Sequence, residues 1–122
     1  MNTRLQVEHP VTEEVTGYDL VEWKIEVAKG NELPETNQEN IKIDGHALEF
    51  RVYAEDPNTF MPSPGTIMKL EFGEATGVRI DRGYAEDGKV TPFSDPWISK
   101  VLVTEEPRDE SMERSKDCFT KI

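Results

Sequence analysis

Four polar side chains occupy every second position near the start of the chain: Asn2, Arg4, Gln6 and Glu8. This alternation is typical of a β-strand, in which such residues project from one face at spacings of roughly 6.6 Å. A guanidinium can bind a planar oxyanion through two parallel hydrogen bonds, and a nearby carboxylate can take a proton from that ligand. The pattern predicts a site that binds and activates a small oxyanion. The alternative is a solvated edge strand with these residue types.

The elements that must position this face begin with a strand over residues 2–8. A helix is expected from Asp19 to Lys29, because its apolar residues recur at helical spacing, Asp19 is a good N-cap and Gly30 follows the end. Residues 31–40 are polar and contain a proline, which predicts a connector. We therefore predict a domain boundary between residues 1–40 and residues 41–122.

The second part of the chain is rich in segments that alternate with period two. We interpret it as an α+β domain, mainly an antiparallel sheet with flanking helices. The expected strands cover residues 41–43, 47–54, 66–72, 77–81 and 98–103, and a helix is expected over 108–122.

Composition narrows the classes of function. The chain has 14 lysines and arginines and 25 acidic residues, for a net charge of -11. Because this charge repels polyanions, we expect the chain to bind neither nucleic acids nor anionic membrane surfaces. The longest apolar runs are far shorter than the roughly 20 residues that span a bilayer. A single cysteine, Cys118, excludes an internal disulfide and fits a reducing compartment.

Residues 2–13, NTRLQVEHPVTE, resemble the signature of biotin carboxylases and biotin-dependent carboxylases almost letter for letter. The RxQVEHP continuation is the part peculiar to these enzymes among ATP-grasp proteins. The resemblance extends to about residue 104 through four further segments: 16–23, 45–57, 62–65 and 90–96.

The resemblance implies roles for the residues of the polar face. Asn2 is expected to help hold the divalent metal that accompanies ATP. Arg4, Gln6 and the backbone of Val7 are expected to bind bicarbonate, and Glu8 to be the general base that deprotonates it.

Arg51 matches the family arginine that stabilises the biotin enolate and approaches bicarbonate. Judged by its residue type alone, Arg51 has the alternative interpretation of a structural salt bridge on a strand. The resemblance therefore implies a catalytic set of Arg4, Glu8 and Arg51.

The same resemblance implies an architecture and a set of ligands and partners. Residues 1–40 are expected to hold the terminal strand and helix of an ATP-grasp catalytic domain, and residues 41–122 an incomplete biotin carboxylase C-terminal domain. The implied cofactors are ATP, Mg²⁺ or Mn²⁺, and biotin on a separate carrier. The implied partners are a biotin carboxyl carrier, a carboxyltransferase and a second copy of the chain, in the cytoplasm, the mitochondrial matrix or a plastid.

Three functions follow as hypotheses. The first is a part of an ATP-dependent biotin carboxylase, a ligase of an acyl-CoA or pyruvate carboxylase system, which is not expected to turn over ATP by itself. The second is a noncatalytic folding or dimerisation module with the carboxylase C-terminal fold. The third, another ATP-grasp ligase for carbamoyl phosphate or peptides, is disfavoured by residues 6–9, QVEH.

Overall fold

In the computed structural model, which describes residues 1–72 and 75–119, a three-stranded antiparallel sheet lies between two helices. Its strands are β1 (His46–Tyr53), β3 (Val78–Arg82) and β5 (Trp97–Glu105), in the order β1-β5-β3. A second, two-stranded antiparallel ladder pairs β2 (Gly65–Thr66) with β4 (Lys89–Val90). The helices are α1 (His9–Thr16), α2 (Leu20–Ala28) and α3 (Arg108–Phe119), with a 3₁₀ turn at Gln38–Asn40. The predicted α+β class with a mainly antiparallel sheet is confirmed.

The core centres on β5, the middle strand. Val101, Leu102 and Val103 are all fully buried, although they point alternately to opposite faces of the sheet. Both faces of the strand are covered, because α1 packs on one and α3 on the other. This explains why residues 101–103 are all apolar, whereas a strand with one exposed face would alternate apolar and polar residues.

The strand register sorts the side chains into two chemically different faces. Lys100 lies opposite Arg51 on one side and Asp81 on the other, so these three charges share the face beneath α1. Phe50, Val101 and Ile80 share the other face in the same way. The sheet therefore has an apolar face toward α3 and a charged face toward α1.

Helix α1 is fixed to the charged face by Glu13, which is only 7% exposed. The Glu13 carboxylate accepts hydrogen bonds from Arg79 Nη1 at 2.9 Å and from the backbone N–H of Leu20 at 3.0 Å. One buried carboxylate thus joins α1, the first turn of α2 and β3.

The predicted helix at Asp19 to Lys29 is confirmed over Leu20–Ala28. The Asp19 carboxylate accepts a hydrogen bond from the backbone N–H of Glu22 at 2.8 Å, which satisfies a donor that the first turn leaves unpaired. Trp23 packs against Tyr18, with ring centroids 4.7 Å apart.

The predicted strand over residues 2–8 is wrong for this chain, because these residues are irregular and end in a turn that leads into α1. A strand needs a neighbour for its backbone hydrogen bonds, and no described strand lies beside this segment. Pro10 in the first turn of α1 favours the helix start at His9. The polar residues do alternate in the sequence, but the backbone of residues 2–8 is not a β-strand.

Two further strand predictions fail for related reasons. Residues 41–43 are irregular, since Ile41 donates its N–H to the 3₁₀ turn at Gln38 and Asp44 donates to Val15. Of residues 66–72 only Thr66 belongs to a strand, and the Leu70 N–H is taken by the Glu86 side chain. The predicted last helix is confirmed to Phe119, while residues 120–122 lie outside the described part.

None of the helices in the described part has the length and the apolar run that a bilayer crossing requires.

Replacement of Glu13 by alanine is expected to lower the free energy of unfolding by about 2 kcal/mol or more, because it removes one of the three carboxylate partners of Arg79 and leaves the Leu20 N–H without its acceptor. Urea denaturation of the chain measures this loss. The exposed connector residue Glu32 provides the control, since Glu32→Ala should stay within about 0.5 kcal/mol of the parent chain. Equal losses in the two variants would contradict the role given to Glu13.

Candidate functional site

Three of the predicted site residues, Arg4, Gln6 and Glu8, line one open groove of about 660 Å³. The irregular N-terminal segment and α1 form one wall, and α2 forms the other. The wall from α2 and the connector is mainly apolar and consists of Leu20, Trp23, Val27, Ala28 and Leu33, with Lys24. The groove therefore has a polar side and an apolar side.

Glu8 and Arg51, 43 positions apart in sequence, form an ion pair beside this groove. Arg51 Nη2 donates to Glu8 Oε2 at 3.0 Å. The side chains of Glu8 and Arg51 are 52% and 36% exposed, so a small ligand can reach both. Glu8 is held in place because it immediately precedes α1, whose first residue is His9.

Arg51 has a second acidic partner, Glu49, on the same strand. Arg51 Nε donates to Glu49 Oε1 at 3.0 Å, and the Glu49 side chain is only 5% exposed. The hydrogen bond from Arg51 to Glu49 raises the pKa of Arg51, and Tyr53 adds to the rise. Since an arginine side chain does not lose its proton in proteins, Arg51 is a permanent cation at this site.

Val7 is tethered through its backbone. The Lys100 ammonium donates to the Val7 carbonyl oxygen at 3.0 Å and lies 3.7 Å from Asp81 Oδ2. Lys100 is a residue of the central strand and only 4% exposed, and its ammonium also stands over the Trp97 ring, 5.8 Å from the centroid. A buried lysine of β5 thus holds the turn that carries Glu8.

Arg79 closes the charged layer at the far side of α1. Its guanidinium makes paired bonds to Asp81, at 2.9 and 3.0 Å, and further bonds to Glu13 and Glu14. The bonds to Asp81 and then to the two glutamates raise the pKa of Arg79 despite partial burial. These contacts lock α1, and with it Glu8, against the sheet.

The structure does not bring every predicted residue into the groove. Asn2 is exposed and does not line the groove. Arg4 lines the groove but is exposed, and its Nη1 lies 3.4 Å from the backbone carbonyl oxygen of Leu5. Within residues 1–72 and 75–119, no three His, Cys, Asp or Glu side chains are placed to hold a metal ion. The roles of all six predicted site residues stay predictions: Asn2, Arg4, Gln6, Val7, Glu8 and Arg51.

Sequence reasoning missed Glu49 and Lys100. Glu49 had a usable signal, since it lies two positions before Arg51 and therefore on the same face of a strand. Lys100 had a weaker one, a lone charge within the apolar run of residues 98–103.

The fold matches that of biotin carboxylase domains of known structure. The biotin carboxylase domain of 2-oxoglutarate carboxylase from Hydrogenobacter thermophilus, solved as a dimer with MgADP, ADP and bicarbonate, aligns with a TM-score of 0.90 and 38% identity. The alignment covers 96% of this chain and 26% of that one. The architecture is thus that of a part of a biotin-dependent carboxylase.

Two family models match successive parts of the sequence. The model for the biotin carboxylase C-terminal domain matches residues 49–122, more than half of the chain. The model for the ATP binding domain of the carbamoyl-phosphate synthase L chain matches residues 1–36. The chain belongs to the biotin carboxylase C-terminal domain family, as the sequence motifs predicted.

Curated relatives agree with this assignment. The biotin carboxylase of Halalkalibacterium halodurans is 53% identical over 114 residues, which cover 93% of this chain and 25% of that protein. The mitochondrial methylcrotonoyl-CoA carboxylase subunit alpha of Mus musculus is 45% identical over 121 residues, 98% of this chain and 17% of that protein. The chain spans about a quarter or less of the length of these relatives.

Replacement of Lys100 by methionine is expected to loosen the turn that carries Glu8, because the Val7 carbonyl loses its only long-range donor in the described part of the chain. The backbone order parameters of Val7 and Glu8, measured by ¹⁵N relaxation, should fall below about 0.6. Lys69→Met, on an exposed side chain that is paired with Glu71, is the matched control. Unchanged order at Val7 in Lys100→Met would show that the tether is not needed.

Proposed function

We propose that this chain is the part of an ATP-dependent biotin carboxylase that presents the bicarbonate-activating base and the biotin-facing arginine. The observation that carries the proposal is the ion pair of Glu8 with Arg51 at 3.0 Å, beside a groove that Arg4 and Gln6 also line. A cation for an anionic ligand, a carboxylate for its proton and a second cation where charge develops are the groups that bicarbonate activation needs.

The proposed chemistry begins with bicarbonate bound by Arg4 and Gln6. Glu8 takes the hydroxyl proton, and the resulting carbonate oxygen attacks the γ-phosphorus of ATP, forming carboxyphosphate and releasing ADP. Carboxyphosphate then breaks down to carbon dioxide and phosphate. Phosphate takes the proton from the biotin ureido nitrogen, which attacks carbon dioxide, while Arg51 stabilises the negative oxygen of the biotin enolate.

The geometry supports these roles in two respects. Both Glu8 and Arg51 are partly exposed, so a ligand can reach them. Glu8 adjoins α1 and Arg51 lies in β1, and these two elements pack against each other. Arg51 carries a permanent positive charge, as every arginine does, and its bonds to Glu8 and Glu49 determine where that charge lies.

The proposed metal role belongs to Asn2. An amide oxygen suits hard cations such as Mg²⁺ or Mn²⁺, which usually take carboxylates and substrate phosphates as further ligands. When bound, such a cation supplies charge neutralisation at the phosphates of ATP. The described residues offer this one ligand, so the rest of the site would come from other parts of the enzyme.

We also propose the domain boundary at about residue 40. The two family models match residues 1–36 and 49–122 and leave residues 37–48 between them unmatched. Residues 31–40 are irregular except for one 3₁₀ turn. The contacts of α1 with β1 and β5 show that the two sides pack together in this structure.

The parent enzyme would act with a biotin carboxyl carrier and a carboxyltransferase in an acyl-CoA or pyruvate carboxylase system, in the cytoplasm or in an organelle. In support, the relatives include a mitochondrial methylcrotonoyl-CoA carboxylase subunit and a domain of 2-oxoglutarate carboxylase. A homodimer is proposed on the same footing, because the Hydrogenobacter domain was solved as a dimer.

A chimera tests the proposal directly. The matching quarter of the H. halodurans enzyme is replaced by this chain, and bicarbonate- and biotin-dependent release of phosphate from ATP is measured. Glu8→Gln in the chimera should lower the rate by about 100-fold or more, the usual contribution of a positioned general base.

Two controls make the result specific. Glu32→Gln, at an exposed connector position, should leave the rate unchanged, and nucleotide binding should be equal in all variants. The unfused chain should release no phosphate. Full activity in the chimera with Glu8→Gln would contradict the proposed base.

A further inference from the structure

Glu49 is the acidic residue whose burial the proposed reaction does not yet explain. Its strand register places it opposite Leu102, which is fully buried in the centre of the sheet. The Glu49 side chain is itself 5% exposed. A carboxylate in such a place is costly unless a cation compensates it.

Within the described residues, Arg51 is the cation that compensates Glu49. Glu49 Oε1 accepts from Arg51 Nε at 3.0 Å, while Glu49 Oε2 is buried and has no hydrogen-bond donor there. Most buried polar atoms are satisfied, and a carboxylate present for stability alone would be expected to use both oxygens. We therefore attribute the presence of this buried carboxylate to its contact with Arg51.

The geometry of the guanidinium shows what the contact does. Nε and Nη2 lie on one edge of a rigid planar fork. Here Nε is bonded to Glu49 and Nη2 to Glu8, so one edge bridges a buried and an exposed carboxylate. Fixing Nε to Glu49 therefore fixes the direction in which Nη2 points.

We propose that Glu49 is a positioning residue, which anchors Arg51 from within the sheet and directs its Nη2 toward Glu8. An arginine side chain carries several rotatable bonds and would otherwise sample many rotamers at this partly exposed site. Arg79 offers the contrast, because its guanidinium is tied to three carboxylates, Asp81, Glu13 and Glu14, and closes the layer. Arg51 is bonded to two carboxylates, one buried and one exposed.

The anchor itself can be measured on the chain by the exchange of the Arg51 Nε–H with water, followed by ¹⁵N NMR. The resonance is assigned by its loss in Arg51→Lys. Glu49→Gln keeps the shape of the side chain and should accelerate the exchange by about tenfold or more, because a charge-assisted bond is replaced by a weaker neutral one.

Two matched variants complete this measurement. Glu32→Gln should leave the exchange unchanged, and Glu8→Gln should change it far less than Glu49→Gln, since Glu8 bonds Nη2 and not Nε. Exchange that is fast in the parent chain, or equally slow in Glu49→Gln, would overturn the anchor.

The catalytic consequence rests on the proposed function and is tested by a double-mutant cycle in the chimera. Glu49→Ala should lower kcat about tenfold with little change in the KM for ATP, and should cause no further loss in the Arg51→Ala background. The conservative Glu49→Gln should recover part of the rate. Equal losses in both backgrounds would show a merely structural residue and overturn the proposal.

The outcomes separate the two proposals. If Arg51→Ala retains full activity, the role of Arg51 in the proposed function fails, while the exchange measurement still decides whether Glu49 anchors it. If Arg51→Ala abolishes activity and Glu49→Ala does not lower it, the proposed function stands and the positioning role of Glu49 is wrong.

Discussion

The charged layer between α1 and the sheet is the constraint on which the rest of the structure depends. Burying Glu13 and Lys100 is unfavourable unless each finds a partner of opposite charge or a strong hydrogen-bonding group. Glu13 finds Arg79, and Lys100 finds the Val7 carbonyl with Asp81 nearby. These pairings require α1 and the preceding turn to lie in one position over the sheet. An ionic layer of this kind fixes orientation more strictly than an apolar contact, which tolerates sliding.

The candidate site lies at the open margin of this layer. On the inner side Arg79 is bonded to three carboxylates, Asp81, Glu13 and Glu14, whereas on the outer side Arg51 is shared between buried Glu49 and exposed Glu8. An arginine bonded to glutamates thus has a structural role at Arg79, whereas at Arg51 it forms an ion pair that a ligand can reach. The two arginines are equally exposed, at 36%, and the difference lies in their acidic partners: Glu8 is 52% exposed, whereas Glu13 is 7% exposed. A small anion can therefore compete for the pair of Glu8 and Arg51 more readily than for the contacts of Arg79.

Much of this could be predicted from sequence, for identifiable reasons. The helix after Asp19 and the strands β1, β3 and β5 follow from local patterns, and the family follows from the motif around Glu8. The strand at residues 2–8 could not be judged locally, because a strand exists only where a neighbour accepts its hydrogen bonds. Lys100 was missed because its partners, Val7 and Asp81, lie far away in sequence. Glu49 lies near Arg51 in sequence, but its burial follows from the register of β1 with β5, which places it opposite Leu102.

The central claim is that Arg4, Glu8 and Arg51 together form a site for bicarbonate. The most direct measurement is a calorimetric titration of bicarbonate into the chain, repeated with Arg4→Ala and Arg51→Ala. The account predicts saturable binding in the parent chain that both substitutions abolish. Binding that persists unchanged in both variants, or no binding by the parent chain, would contradict it.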